Sequence, residues 1–180
     1  MKRISVGFAV AALLVTSIVC PLQAHAADGI ELAGDILEIA LPVGAGGTTV
    51  GLRDWQGSLQ LAESEGLTLA ATYALKYSLD TRRPNGGGHS FPSEHSSVSF
   101  SAAEFLRKRY GWKAGLPAYV AASFVAYSRV ESNNHYDYDV IGGAAIGIVS
   151  SYIFTRPYKG WQIKTAAGPG LHGLFLSRSW

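Results

Sequence analysis

Among 180 residues there is one cysteine, Cys20. That excludes an internal disulfide and any thiolate metal cluster, so the fold has to rest on its apolar core. Charge is scarce too: Asp, Glu, Lys and Arg make up 16% of the chain, with 15 Lys+Arg against 13 Asp+Glu and a net charge of +2. No basic run or stripe occurs, which excludes the electrostatic footprint of a nucleic-acid-binding protein. Beyond the N-terminus there is no apolar run of the ~20 residues a membrane span needs. The longest uncharged runs there, 114–128 and 140–155, fall short and read as core helices of a soluble or membrane-peripheral domain.

What the chain does contain is 48% hydrophobic residues in a length suited to one domain. Its first residues have the layout of an export signal: Lys2 and Arg3, an apolar stretch from Ile4 to Val19, and Ala24-His25-Ala26 as a small-residue cleavage site. Residues 1–26 are therefore expected to be removed, Cys20 with them, and the mature chain to reside in the bacterial periplasm. Residues 27–160 read as a single helical domain and 161–180 as a tail.

Within the domain, residues 31–41 predict a helix ended by Pro42 and the glycines 44, 46 and 47. Residues 54–65 and 67–79 predict two more, with Gly66 as the break, and place Lys76 in the last turns beside the following loop. Pro84 and Gly86-Gly87-Gly88 exclude regular structure over 81–91. A further helix starts at Pro92 or Ser93 and ends at the basic residues before Gly111. The stretch 116–128, opened by Pro117, is apolar nearly all round and predicts a helix in the middle of a bundle. The last helix covers about 138–155, where Gly142, Gly143 and Gly147 let a neighbour approach closely. The tail predicts two short strands around Gly168-Pro169-Gly170, with Trp180 as a weak membrane-surface contact.

The residues with chemical capability fall into three clusters between Lys76 and Asp139: Lys76 with Arg83-Pro84, then Pro92-Ser93-Glu94-His95, then Ser128-Arg129 with His135 and Asp139. Arginine forks and an ammonium suit a phosphate dianion because they keep their charge. Ser93 adds a hydroxyl, and the backbone N–H groups of Glu94 and His95 at a helix start point toward an anion. If the last helix begins near His135, Asp139 four residues on accepts from Nδ1 and leaves Nε2 as a nucleophile. His95 remains to protonate the leaving oxygen.

This three-part pattern, spanning about a third of the chain, resembles the signature of the type 2 phosphatidic acid phosphatase (PAP2) and vanadium haloperoxidase superfamily. The resemblance implies an all-α bundle and phosphoester hydrolysis without a metal or other cofactor. It also implies a phosphohistidine on His135 oriented by Asp139, His95 as proton donor, and Lys76, Arg83, Ser93 and Arg129 as phosphate ligands. The implied substrate is a phosphorylated lipid or small phosphoester, monoester or diphosphate, with peripheral membrane contact and no nucleic acid. Vanadate would inhibit, or serve as prosthetic group in the alternative of a haloperoxidase; a non-catalytic anion- or headgroup-binding protein is the third reading. Glu94 departs from the family's usual glycine and is expected to face solvent, as an acidic residue in a helix's first turn can. His89 in the glycine-rich loop reads as merely exposed.

Overall fold

The computed structural model describes residues 4–158, 161–168 and 171–178, and the side chains of 28–158. The expected export signal and the contact of Trp180 fall outside those side chains. In chain order the elements are α1 (Ile4–Gly51), α2 (Trp55–Leu79), α3 (Glu94–Tyr110), α4 (Trp112–Glu131), α5 (Asp137–Phe154), β1 (Trp161–Gly168) and β2 (Leu171–Arg178). The five helices form a bundle, and β1 pairs antiparallel with β2, Trp161 opposite Arg178. Fold class and tail agree with the sequence reading.

Three helix boundaries differ from it. α1 runs through Pro42 and the glycines behind it to Gly51. A proline inside a helix costs ~3 kcal/mol, but Leu41 and Ala45 on either side are buried in the core with Ala102, Ala103 and Phe105. Burial of that face outweighs the local preference. α2 is one helix of 25 residues because Gly66 costs only ~1 kcal/mol relative to alanine. α4 begins five residues before Pro117: Gly111, at φ 89, turns the chain directly from α3 into α4.

The centre of the bundle is also not where apolar content placed it. α3, the helix that packs against all four others, is rich in serine, and Ser96, Ser97, Ser99 and Ser101 are all buried. α5 lies against it so closely that a Cβ at Gly147 would overlap the carbonyl oxygen of Ser97. Small side chains permit that approach; Ser97 Oγ accepts from Thr72 Oγ1 of α2 at 2.9 Å, while the hydroxyls of Ser96, Ser99 and Ser101 have no partner among the described residues. Large apolar side chains stand outside instead: Ile39 is 65% exposed, Leu59 66% and Ile141 67%. α4 is apolar all round because one side packs inward while Leu116 and Val120 face out. Among the described residues no helix is long and apolar enough to cross a membrane.

One end of the bundle is closed by a buried ion pair. Asp54 caps α2 by accepting from Gly57 N at 3.0 Å, and it also accepts from Arg109 Nε at 2.7 Å and Tyr110 Oη at 2.8 Å. Arg109 Nη1 reaches Gln60 Oε1 and the carbonyl of Arg156, so α2, α3 and the segment after α5 share one network. Arg109→Ala leaves a buried carboxylate unpaired and is expected to destabilise the fold by ~3–5 kcal/mol, read as a lowered midpoint of denaturant unfolding. Activity per folded molecule should be unchanged, since Lys76 lies 21 residues further along α2, roughly 30 Å away.

Candidate active site

At the opposite end, the C-terminal turns of α2 and α4 and the N-terminal turns of α3 and α5 converge. Lys76 is buried in the last turn of α2 and donates from Nζ to the carbonyl of His89 at 3.0 Å. The His89 ring, half-buried rather than exposed, stands 3.1 Å from Asp80 Oδ1 and edge-on to Tyr77, so the loop after α2 is tied back onto that helix. Arg83 is fixed at its backbone by Gly87, and its buried Nε has no partner among the described residues. A guanidinium without an acceptor in such a place is a site for an anion.

Ser93 is the N-cap of α3, fully buried, its Oγ 3.5 Å from Ser96 N. His95 follows in the first turn. Arg129, in the last turn of α4 and 3% exposed, donates from Nε to Ser128 Oγ at 3.1 Å and from Nη2 to the carbonyl of Glu31 at 2.7 Å. Its Nη1 lies 2.7 Å from Asp35 Oδ1.

His135 sits just ahead of α5, not on it, anchored by its backbone N–H to the carbonyl of Arg129 at 3.1 Å. Its Nδ1 is 3.5 Å from Asp139 Oδ2, too long for a formed hydrogen bond, and neither Nδ1 nor Asp139 Oδ1 has another partner among the described residues. Asp139 is held fast meanwhile: Oδ2 accepts from Ser90 Oγ at 2.5 Å and from Tyr136 N at 2.9 Å, closing the first turn of α5. Apo geometry of this kind tightens when a ligand engages the ring.

The rings of His95 and His135 open onto one cavity of about 340 Å³, lined also by Arg83, Arg129, Asn134, Glu31 and Asp35. Lys76 and Asp139 lie behind His135, near enough to act on its charge. Ser93 is not among the residues lining this cavity; its Oγ faces Ser96 N at 3.5 Å as an acceptor only, so its O–H stays free to donate. Glu94, expected to face solvent, is partly buried and acts electrostatically on Lys76, His95 and Glu38.

Three acidic residues of α1 were missed by reading the sequence. Glu31, Asp35 and Glu38 face the site; Asp35 Oδ1 and Glu38 Oε2 stand 3.2 and 3.0 Å from His95 Nε2, and Glu31 Oε1 accepts from Asn134 Nδ2 at 2.7 Å. Their i, i+4, i+7 spacing on an otherwise apolar segment was the available signal. α1 can press this close because residue 34 is glycine, where a Cβ would overlap Ser128 Oγ.

The electrostatics separate the two histidines by environment. Burial, followed by the charges of Arg83 and Lys76, lowers His135 to about 4, against the pull of Asp139, so its ring is neutral above that pH. Burial and Arg129 also lower His95, opposed by Asp35 and Glu94. Lys76 is lowered by burial and by Arg83. Burial, Glu94 and Asp35 raise Glu38 to about 7, with Arg129 opposing.

The family model described as PAP2 superfamily matches residues 70–162, which contain all three clusters. A lipid A 4'-phosphatase of Helicobacter pylori is 33% identical over 84% of this chain and 85% of its own length. The undecaprenyl-diphosphatase BcrC of Bacillus subtilis is 29% identical over 46% of this chain and 42% of its own. Among solved structures, the transmembrane PAP2-type phosphatidylglycerolphosphate phosphatase of Bacillus subtilis superimposes with a TM-score of 0.58 at 24% identity, covering 85% of this chain and 86% of that one. Aquifex aeolicus LpxE does so with 0.54 at 18%, over 70% and 92%. These structural likenesses bear on the fold alone; together with the sequence matches, they mean that this chain belongs to the PAP2 superfamily, a family of hydrolases.

Proposed function

We propose that the protein is a metal-independent phosphatase of lipid phosphates that works through a phosphohistidine on His135. The single observation that carries this is the shared cavity: a buried imidazole kept neutral faces a second imidazole and two guanidinium groups across a space of about 340 Å³. His135 Nε2 attacks phosphorus, and the bond to the ester oxygen breaks as His95 gives that oxygen a proton. Water then attacks the phosphohistidine, losing a proton to His95, and the P–N electron pair returns to His135. Arg83 and Arg129 supply charge to the oxygens in both steps, and Lys76 adds a further positive charge behind His135.

The substrate is a lipid, with a lipid A phosphate as the first choice because the relative that aligns over most of both chains is a lipid A 4'-phosphatase. The exposed apolar faces of α1, α4 and α5 over a core of small residues suit a chain that rests against a lipid phase. Such a position would let the cavity meet a headgroup without extraction of its acyl chains. Cleavage of residues 1–26 and display at the periplasmic surface complete the reading.

Phosphate release by the purified protein from lipid A 4'-phosphate, lipid A 1-phosphate, undecaprenyl diphosphate and a soluble aryl phosphate tests it. The lipid A substrates should turn over fastest, EDTA should leave the rate intact, and vanadate should inhibit by occupying the anion site. Dependence on an added metal, or turnover of the soluble ester alone, would refute it.

The pH dependence has a definite sign. His135 must be neutral, which fails as pH falls through about 4, and His95 must be protonated, which fails as pH rises, and sooner than for an ordinary imidazole because burial lowers its pKa. The profile of kcat/KM is therefore expected to be a bell with an acidic optimum between those limits, measured as initial rates across pH 3–8. An alkaline optimum would remove His95 from its role.

A further inference from the structure

Outside the residues already given a role, the strongest feature is the acidic face of α1 inserted into the site. Its spacing is local, but its contact with His95 joins residues 60 apart. His95 Nε2 is held between Asp35 Oδ1 at 3.2 Å and Glu38 Oε2 at 3.0 Å, and Asp35 also bridges to Arg129 Nη1 at 2.7 Å. A dianion site gains nothing from two extra carboxylates at its wall if their only effect is charge, since each repels the substrate. They are useful if they manage a proton.

We propose that α1 completes the catalytic apparatus, with Asp35 and Glu38 forming a shared proton site with His95 that supplies and recovers the leaving group's proton. This rests on the phosphohistidine reading above. In the first step the bond from His135 Nε2 to phosphorus forms and the bond from phosphorus to the ester oxygen breaks. The ester oxygen takes the proton from His95, and the Glu38 carboxyl passes its own proton to the emptied imidazole. In the second step the imidazolium of His95 hands its proton back to the Glu38 carboxylate as its other nitrogen takes the proton lost by the attacking water, restoring the starting state. Asp35 acts differently: its charge favours the imidazolium and it orients Arg129. Glu38 and Asp35 are thus positioning residues that act through His95.

The surroundings of His95 fit a proton held at this spot. Arg129 from α4 opposes a charge on the imidazole, and desolvation opposes it further; Asp35 from α1 and Glu94 on its own helix favour it. Glu94 acts in turn on Tyr73 and Lys76 of α2, Glu38 acts on Tyr73, and Arg83, Lys76 and Asp139 act on His135. Glu38, about half-protonated near neutrality, is the group in contact with His95 that has a proton to give in the mildly acidic to neutral range.

The test separates proton supply from structure by leaving-group chemistry. Two esters with the same dodecyl tail are compared, one an alkyl phosphate whose alkoxide needs a proton, the other a nitrophenyl phosphate whose phenolate leaves without one. In Glu38→Gln, kcat for the alkyl ester is expected to fall about tenfold or more beyond any fall for the nitrophenyl ester, a share of the 10²- to 10⁴-fold that general acid catalysis supplies. Asp35→Asn, at a half-exposed position that carries little packing, should show the same inequality and an alkaline limb of kcat moved to lower pH. Circular dichroism and the unfolding midpoint establish that each variant is folded. Equal losses for both esters, no loss, or a higher kcat/KM for both would overturn the inference, the last by showing α1 to be a plug. Failure of the unaltered protein to hydrolyse either ester would instead count against the phosphatase reading itself.

Discussion

Turnover should collapse in His135→Ala, with kcat lowered by roughly 10⁴ or more, the scale on which loss of a covalent nucleophile acts in other hydrolases. Nothing near the cavity can substitute. His95 is the other imidazole on its wall, but its Nε2 is engaged by Asp35 and Glu38. The check is twofold: phosphate release under saturating substrate, and rapid quench into alkaline denaturant with substrate labelled at the phosphate, which should trap label on the unaltered protein and none on the variant. Full turnover in His135→Ala would remove the covalent step. Because His135 is 3% exposed, its replacement opens a small cavity, so the unfolding midpoint must be measured beside the rate.

Asp139→Asn is expected to lower kcat by about 10²- to 10³-fold with a smaller change in KM. Asp139 Oδ2 is held by the Ser90 hydroxyl and the Tyr136 amide, so the asparagine oxygen can take its place and keep the first turn of α5 intact. What disappears is the negative charge beside a ring that becomes cationic as the P–N bond forms. At about 4 Å and an effective dielectric of 20, that charge is worth at most about 4 kcal/mol, which bounds the loss. Steady-state kinetics on the folded variant reads it. Retention of the full rate would show that the 3.5 Å separation between His135 and Asp139 never closes during the reaction.

Much of the site was legible because its residues recur at short, fixed spacings between Lys76 and Asp139, each cluster at a helix end where backbone and side chains already favour an anion. The helix starting after Ser93, the glycines of α5 and the two tail strands were legible for the same reason: capping, close approach and alternation are local properties of a chain. The continuation of α1 through Pro42 was not legible, since it depends on Leu41 and Ala45 finding Ala102 and Phe105 in the core. Nor was the place of α3. Apolar content marks the helix that fits the interior of a soluble bundle, and here the interior belongs to serine and alanine with the bulky apolar residues outside.

By itself the sequence determined the chemistry on offer: which cations and imidazoles exist, that helix ends present them in three clusters, and that a phosphate suits them. Those are consequences of residue type and spacing along one strand of backbone. Only the tertiary structure decided that His95 and His135 share a hollow and that Asp35 and Glu38 of a distant helix grip the proton donor. The physical reason is packing. A glycine at 34 lets α1 lie against Ser128, and the interaction between a carboxylate and an imidazole exists only once that contact has been made.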